Sequence, residues 1–291
     1  MISKEVDMGE KDITEKTLEA YDDVFADIIN GLLFRGEPIV KEEALIDAQS
    51  FSMYKADGEM HGQDRDVSKY WTKADGSSIS LKIAFLGIEN QTNYDKDMPL
   101  RVIGYDGAAY RAQLGKDTKY PVITLVLYFG DESWGRNRSL YDSIKIPENL
   151  KSYMNNYKIN LFEIAHLPKE AIQYFHSDFR VVVDYFIQKH QNKEYRPSRQ
   201  TIKHVEEILE LFRVLTGDTR FEDVLNDSTE GGVHNMCEIL DQVEAKGIKK
   251  GENKLAALIE QLFSLGRMED IQKAAKDEVY RANLFKEFQI L

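Results

Sequence analysis

Two apolar runs, ISLKIAFLGIENQ (79–91) and YPVITLVLYFG (120–130), limit what this 291-residue chain can fold into. The second is β-branched and aromatic throughout and is bounded by Pro and Gly, so it reads as a strand buried on both faces. Such a strand needs a layer of helices to cover it. The first run ends unusually. A central strand normally closes on a turn signal, but this one closes on Glu89 and Gln91. Side chains two apart on a strand share a face, so both project together at one end of the sheet. Burying that pair without partners costs several kcal/mol, so it must be paired, hydrated or employed.

The flanking segments complete a mixed α/β reading. Apolar residues from Leu18 to Leu33 recur at three- and four-residue spacing in 15–36, which predicts a helix ending near Gly36. The stretch 41–62 has little periodicity and reads as a loop. QDRDVSKYW (63–71) and 79–91 read as a hairpin, with Asp75-Gly76 supplying its tight turn. A helix is predicted over 99–114, started by Pro99. Its Gly104, Gly107, Ala108 and Ala109 are expected to allow close packing on the sheet. A short strand falls within 157–167, and from residue 168 the pattern turns helical. Gly247 and Gly251 suggest a bend or two helices in the last long segment. Residues 218–233 read as a linker, ending on Gly231-Gly232.

Composition removes several classes of function. A single cysteine, Cys237, excludes an internal disulfide and a thiolate metal cluster, and it reads as a half-buried apolar residue on a helix. The apolar runs are too short to cross a bilayer. The polar N-terminus does not resemble a secretory segment, so a cytoplasmic protein without membrane contact is expected. The net charge of −12 argues against a protein that coats nucleic acid, but not against local contact. Two basic stretches, 101–160 and 188–204, offer such contact. His234 near Cys237 lacks the remaining ligands of a zinc site. There is no P-loop, dinucleotide fingerprint or nucleophile elbow.

The residues that remain are acidic. Asp66 lies on the other arm of the hairpin from Glu89, so the two carboxylates could converge on one divalent cation. Mg²⁺ favours a pair of carboxylates completed by water and phosphate. Arg101, near the start of the 99–114 helix, could hold a phosphate, clamp Glu89, or lie on the surface.

The strings FADIINGLLF, RDVSKYW, GIENQT and MPLRVIGYDGAAYR, in that order, resemble the recombination-promoting nuclease and transposase (Rpn-type) family of the PD-(D/E)XK nuclease superfamily. The resemblance covers residues 15–291. It implies a PD-(D/E)XK-like mixed sheet flanked by helices, with an α-helical C-terminal extension: a core over 15–170 and a helical region over 171–291. It also implies Mg²⁺- or Mn²⁺-dependent cleavage of DNA, linked to recombination or mobile elements. Carried over by motif, Asp66 and Glu89 are metal ligands, and Gln91 and the first-helix acid Asp27 complete the catalytic set. Gln91 stands where the wider fold has lysine, and a neutral amide offers only hydrogen bonds to a developing charge. The alternative is a catalytically degenerate member that binds nucleic acid or protein; it predicts Asp66 and Glu89 too far apart to share a metal, or Glu89 locked in a salt bridge. A third possibility is assembly into a homo-oligomer through the C-terminal helices, where Leu255, Leu258, Ile259 and Leu262 form an apolar stripe.

Overall fold

The computed structural model describes residues 14, 16–49, 51–56, 59–74, 80–192, 195–227 and 235–290. Residues 16–19 form a helical turn, and helix α1 (Asp22–Phe34) follows. The helix expected over 15–36 is therefore broken at Ala20-Tyr21. A tertiary contact explains the break: the Tyr21 ring stacks on His204 at 3.8 Å, and its hydroxyl donates to Glu207. Helix α1 ends at Arg35 and Gly36, both at positive φ. A Cβ at Gly36 would fall 2.9 Å from the Tyr174 backbone, so this stop requires glycine.

The segment read as a loop over 41–62 contains strand structure instead: β1 (Leu45–Asp47), β2 (Phe51–Ala56) and the start of β3 (Glu59–Asp64). Strand β1 is a three-residue edge strand with one buried side chain, so no apolar alternation announces it. Strands β2 and β3 pair with each other as a separate two-stranded sheet.

Strands β4 (Val67–Ala74) and β5 (Ser80–Gln91) form the expected antiparallel pair; the Asp75-Gly76 turn lies outside the described residues. Helix α2 (Met98–Arg111) connects β5 to β6 (Val122–Tyr128), which runs parallel to it, and β7 (Asn160–Glu163) is parallel to β6. The result is a five-stranded mixed sheet in the order β1-β4-β5-β6-β7. Helix α2 meets the sheet through Met98, Val102, Tyr105 and Asp106, and Ala109 packs against the cluster of Phe85, Tyr120 and Val122. An added Cβ at Gly107 would touch nothing within 4 Å, so the close packing expected there does not occur.

The opposite face of the sheet carries the main core. Leu86, Ile88, Leu125 and Leu127 pack with α1 and with helices α3 (Phe179–Asn192), α4 (Val205–Thr216) and α5 (Arg220–Asp227). Much of the presumed linker is thus helix α5, held by buried Phe221 and Val224; Gly231-Gly232 lie outside the described residues.

Helix α6 (Met236–Ser264) runs unbroken through Gly247 and Gly251, contrary to the bend expected there. Each glycine costs about 1 kcal/mol of helix propensity. Packing at both ends offsets that cost. Met236, Ile239 and Val243 enter the main core, while Leu258 and Leu262 meet α7 (Met268–Lys276) and α8 (Glu278–Glu287) in a small second one. At Gly247 the Arg220 guanidinium crosses where a Cβ would stand, 2.3 Å from Nη1. Cys237 is half-buried at the start of α6. Among the described residues no helix is long and apolar enough to cross a membrane.

Candidate active site

The pairing Val67↔Ile88 leads Asp66, the residue ahead of β4, alongside the end of β5. There Asp66 Oδ2 accepts from the Asn90 backbone N–H at 2.6 Å, which ties its carboxylate to the strand carrying Glu89. Asp66 Oδ1 lies 2.9 Å from Lys16 Nζ. Asp66 is thus paired with Lys16, while the neighbouring Arg65 reaches Asp106. Lys69 is buried between Asp22 and Asp47.

Glu89 is 1% exposed. Its Oε1 accepts from Arg101 in a salt bridge and from Tyr105 Oη at 3.4 Å, with Gln91 Nε2 at 3.5 Å. Its Oε2 is buried and has no hydrogen-bond partner among the described residues. Burial, then the charge of Asp66, pushes the Glu89 carboxyl up to about 8, against the opposing pull of Arg101, Lys16 and the Tyr105 hydrogen bond. Burial pulls the Arg101 guanidinium down, but the Glu89 charge and hydrogen bonds to Tyr105 and Asp95 outweigh it and leave its pKa raised. Arg101 therefore clamps Glu89, one of the three roles the sequence left open.

A buried lock positions the Asp66 bend. Arg65 (5% exposed) reaches Asp106 on α2 (3% exposed) at 2.8 Å. Its Nε donates to Thr124 Oγ1 at 3.2 Å, and Thr124 in turn donates to Asp106 at 2.6 Å. Tyr157 donates to the other Asp106 oxygen. Gly87 provides the passage: a Cβ there would stand 2.7 Å from Arg65 Cδ. Both charges are thereby satisfied, as burial demands.

The turn at 16–19 closes the same end of the sheet. While Lys16 meets Asp66, Glu19 Oε2 accepts from Asn90 Nδ2 at 2.7 Å. Sequence reasoning missed Lys16, Glu19 and Asn90. Lys16 and Glu19 are three apart on one helical face, the only signal available, and mixed-charge turns commonly show it.

Asp27 does not join this group. Its carboxylate accepts from the backbone N–H groups of His176 (2.9 Å) and Ser177 (2.8 Å) and from Ser177 Oγ (2.7 Å). It ties α1 to the segment ahead of α3, which is a structural task.

Among the described residues no group of three or more His, Cys, Asp and Glu side chains is arranged around a metal position. The donor set is two carboxylates, which fits a hard cation that keeps several waters and shares a substrate phosphate. The unbonded Glu89 Oε2, and the repulsion that Asp66 imposes on Glu89, are features a cation would relieve.

A five-stranded mixed sheet with helices on both faces, with Asp66 ahead of β4 meeting the end of β5 that carries Glu89, defines an α/β protein. Residues 82–219 match the family described as "Putative transposase, YhgA-like", a member of the PD-(D/E)XK-like superfamily. The match takes in Glu89, Gln91 and Arg101 and begins after Asp66. No curated protein and no solved structure matches the chain.

Proposed function

We propose that the protein is a cytoplasmic DNA endonuclease, dependent on Mg²⁺ or Mn²⁺ and linked to recombination or mobile elements. One observation carries the reading: a fully buried Glu89 at the end of a central strand, with one oxygen unbonded and a second carboxylate beside it. A chain with only structural needs would end that strand on a neutral side chain. Asp66 and Glu89 would hold the cation, which when bound polarises a phosphodiester and acidifies a water. Arg101 and Tyr105 orient Glu89 through Oε1 and leave Oε2 for a ligand. Gln91, on the same face, can direct a water by hydrogen bonding. The transposase family supports DNA as the partner. With a net charge of −12, contact with the backbone would rest on the local basic stretches 101–160 and 188–204.

The test is nicking of supercoiled plasmid with Mg²⁺ or Mn²⁺, wild type beside Asp66→Ala and Glu89→Ala. Metal-dependent nicking lost in both variants supports the reading.

The Glu89–Arg101 salt bridge favours a second reading, a degenerate member that binds nucleic acid or protein without cutting. That reading expects a folded wild type that retains a DNA duplex yet nicks no faster than the Asp66→Ala, Glu89→Ala double variant.

A further inference from the structure

Lys16 brings a second partly exposed cation to the site, beside Arg101. It comes from the helical turn at 16–19, outside the sheet, and its side chain is one-third exposed. Its ammonium lies 2.9 Å from Asp66 Oδ1, and its charge acts on Glu89 as well. Arg101 is held by Glu89, Asp95 and Tyr105, and Gln91 carries no charge. A phosphodiester approaching Asp66 and Glu89 meets two carboxylates and needs a positive charge that can shift toward it. A lysine, a compact charge on a flexible four-carbon stem, suits that task.

Resting on the endonuclease reading, we infer that Lys16 is a catalytic residue, its ammonium stabilising the negative charge that develops on the non-bridging oxygens of the scissile phosphate. In the hydrolysis it would serve, the water oxygen bonds to phosphorus and the bridging P–O bond breaks. The departing sugar oxygen takes up a proton, and the attacking water releases one to solvent. Lys16 stays charged throughout and transfers no proton. Asp66 is its resting partner, which keeps the ammonium beside the site when no DNA is bound.

The test compares wild type, Lys16→Gln, and Lys16→Gln combined with Gln91→Lys, which returns an ammonium from the strand. Three quantities are read: single-turnover cleavage with Mn²⁺ at saturating DNA, affinity for a labelled duplex without divalent cation, and Mn²⁺ affinity by calorimetry. Lys16→Gln is expected to slow cleavage about 10²-fold, the scale of losing one charge-stabilising donor. It should change duplex affinity only slightly and bind Mn²⁺ several-fold more tightly, because a competing positive charge has left. The double variant should regain much of the rate. A role confined to holding the site together would instead weaken Mn²⁺ binding and cleavage in step, and that result would overturn the inference. So would cleavage by Lys16→Gln at the wild-type rate, or a rate loss matched by lost duplex affinity at sub-saturating DNA and absent at saturation. In those cases an active wild type leaves the endonuclease reading standing. A wild type with no cleavage in either metal defeats that reading, and the role of Lys16 falls with it.

Discussion

Replacing Glu89 with Gln should change how stability depends on pH, and the size of the effect follows from the site. Glu89 is 1% exposed and its carboxyl is pushed from 4.5 up to about 8, chiefly by burial and then by the Asp66 charge. The folded protein therefore holds this proton to higher pH than the unfolded chain does. Folding takes up a proton between those two values, so stability is greatest below the lower one and falls as pH rises through the window. The full shift corresponds to about 5 kcal/mol, of which about 3 kcal/mol falls between about pH 5.5 and about pH 8. Glu89→Gln removes the ionisation and keeps the side chain's shape. Relative to wild type, the variant should gain about 3 kcal/mol between those two pH values. Urea unfolding followed by tryptophan fluorescence reads this directly, since Trp71 lies on β4 and Trp134 is buried against the α2 face of the sheet. Parallel pH profiles for the two proteins would refute the argument that burial and Asp66 control this carboxyl.

Other consequences follow from the same geometry. Arg65→Met should cost about 3–5 kcal/mol, because it strands a buried Asp106. Gly87→Ala should cost about 1–3 kcal/mol by crowding Arg65, and less in the Arg65→Met background; additive losses in a double-mutant cycle would contradict that coupling. Asp27→Ala should lower stability by about 2–4 kcal/mol while the folded fraction nicks plasmid normally, since its carboxylate serves His176 and Ser177. In the tail, Leu258 and Leu262 are spent on its own small core, whereas Ile259 and Phe263 remain exposed. If copies assemble through that face, Ile259→Glu with Phe263→Glu should reduce the mass measured by light scattering, and an unchanged mass would exclude the face.

The layout of the sheet was legible because β-branched runs and Pro/Gly boundaries report burial on both faces. Glu89 and Gln91 stood out because they violate that pattern, and Asp66 followed from the hairpin. What stayed hidden depends on contacts distant in sequence. Lys16 and Glu19 reach the site from a turn whose composition is that of any solvated helix end. Arg65 and Asp106 look like surface charges until Gly87 and Thr124 show where the guanidinium passes. Asp27 matches the first-helix acid of the resemblance, yet backbone donors from residues about 150 positions away claim it. Likewise, the glycines in α6 suggested a break that packing at both ends of the helix overrides.

The central claim is that Asp66 and Glu89 form one cation site. Anomalous diffraction at the manganese edge, from crystals grown with Mn²⁺, tests it most directly. The account predicts a single strong peak within about 2.0–2.3 Å of an oxygen of each carboxylate, with Lys16 displaced from Asp66 Oδ1. A structure at saturating Mn²⁺ with no peak there, and with the Lys16–Asp66 and Arg101–Glu89 pairs both intact, would contradict it and leave the binding-module reading in its place.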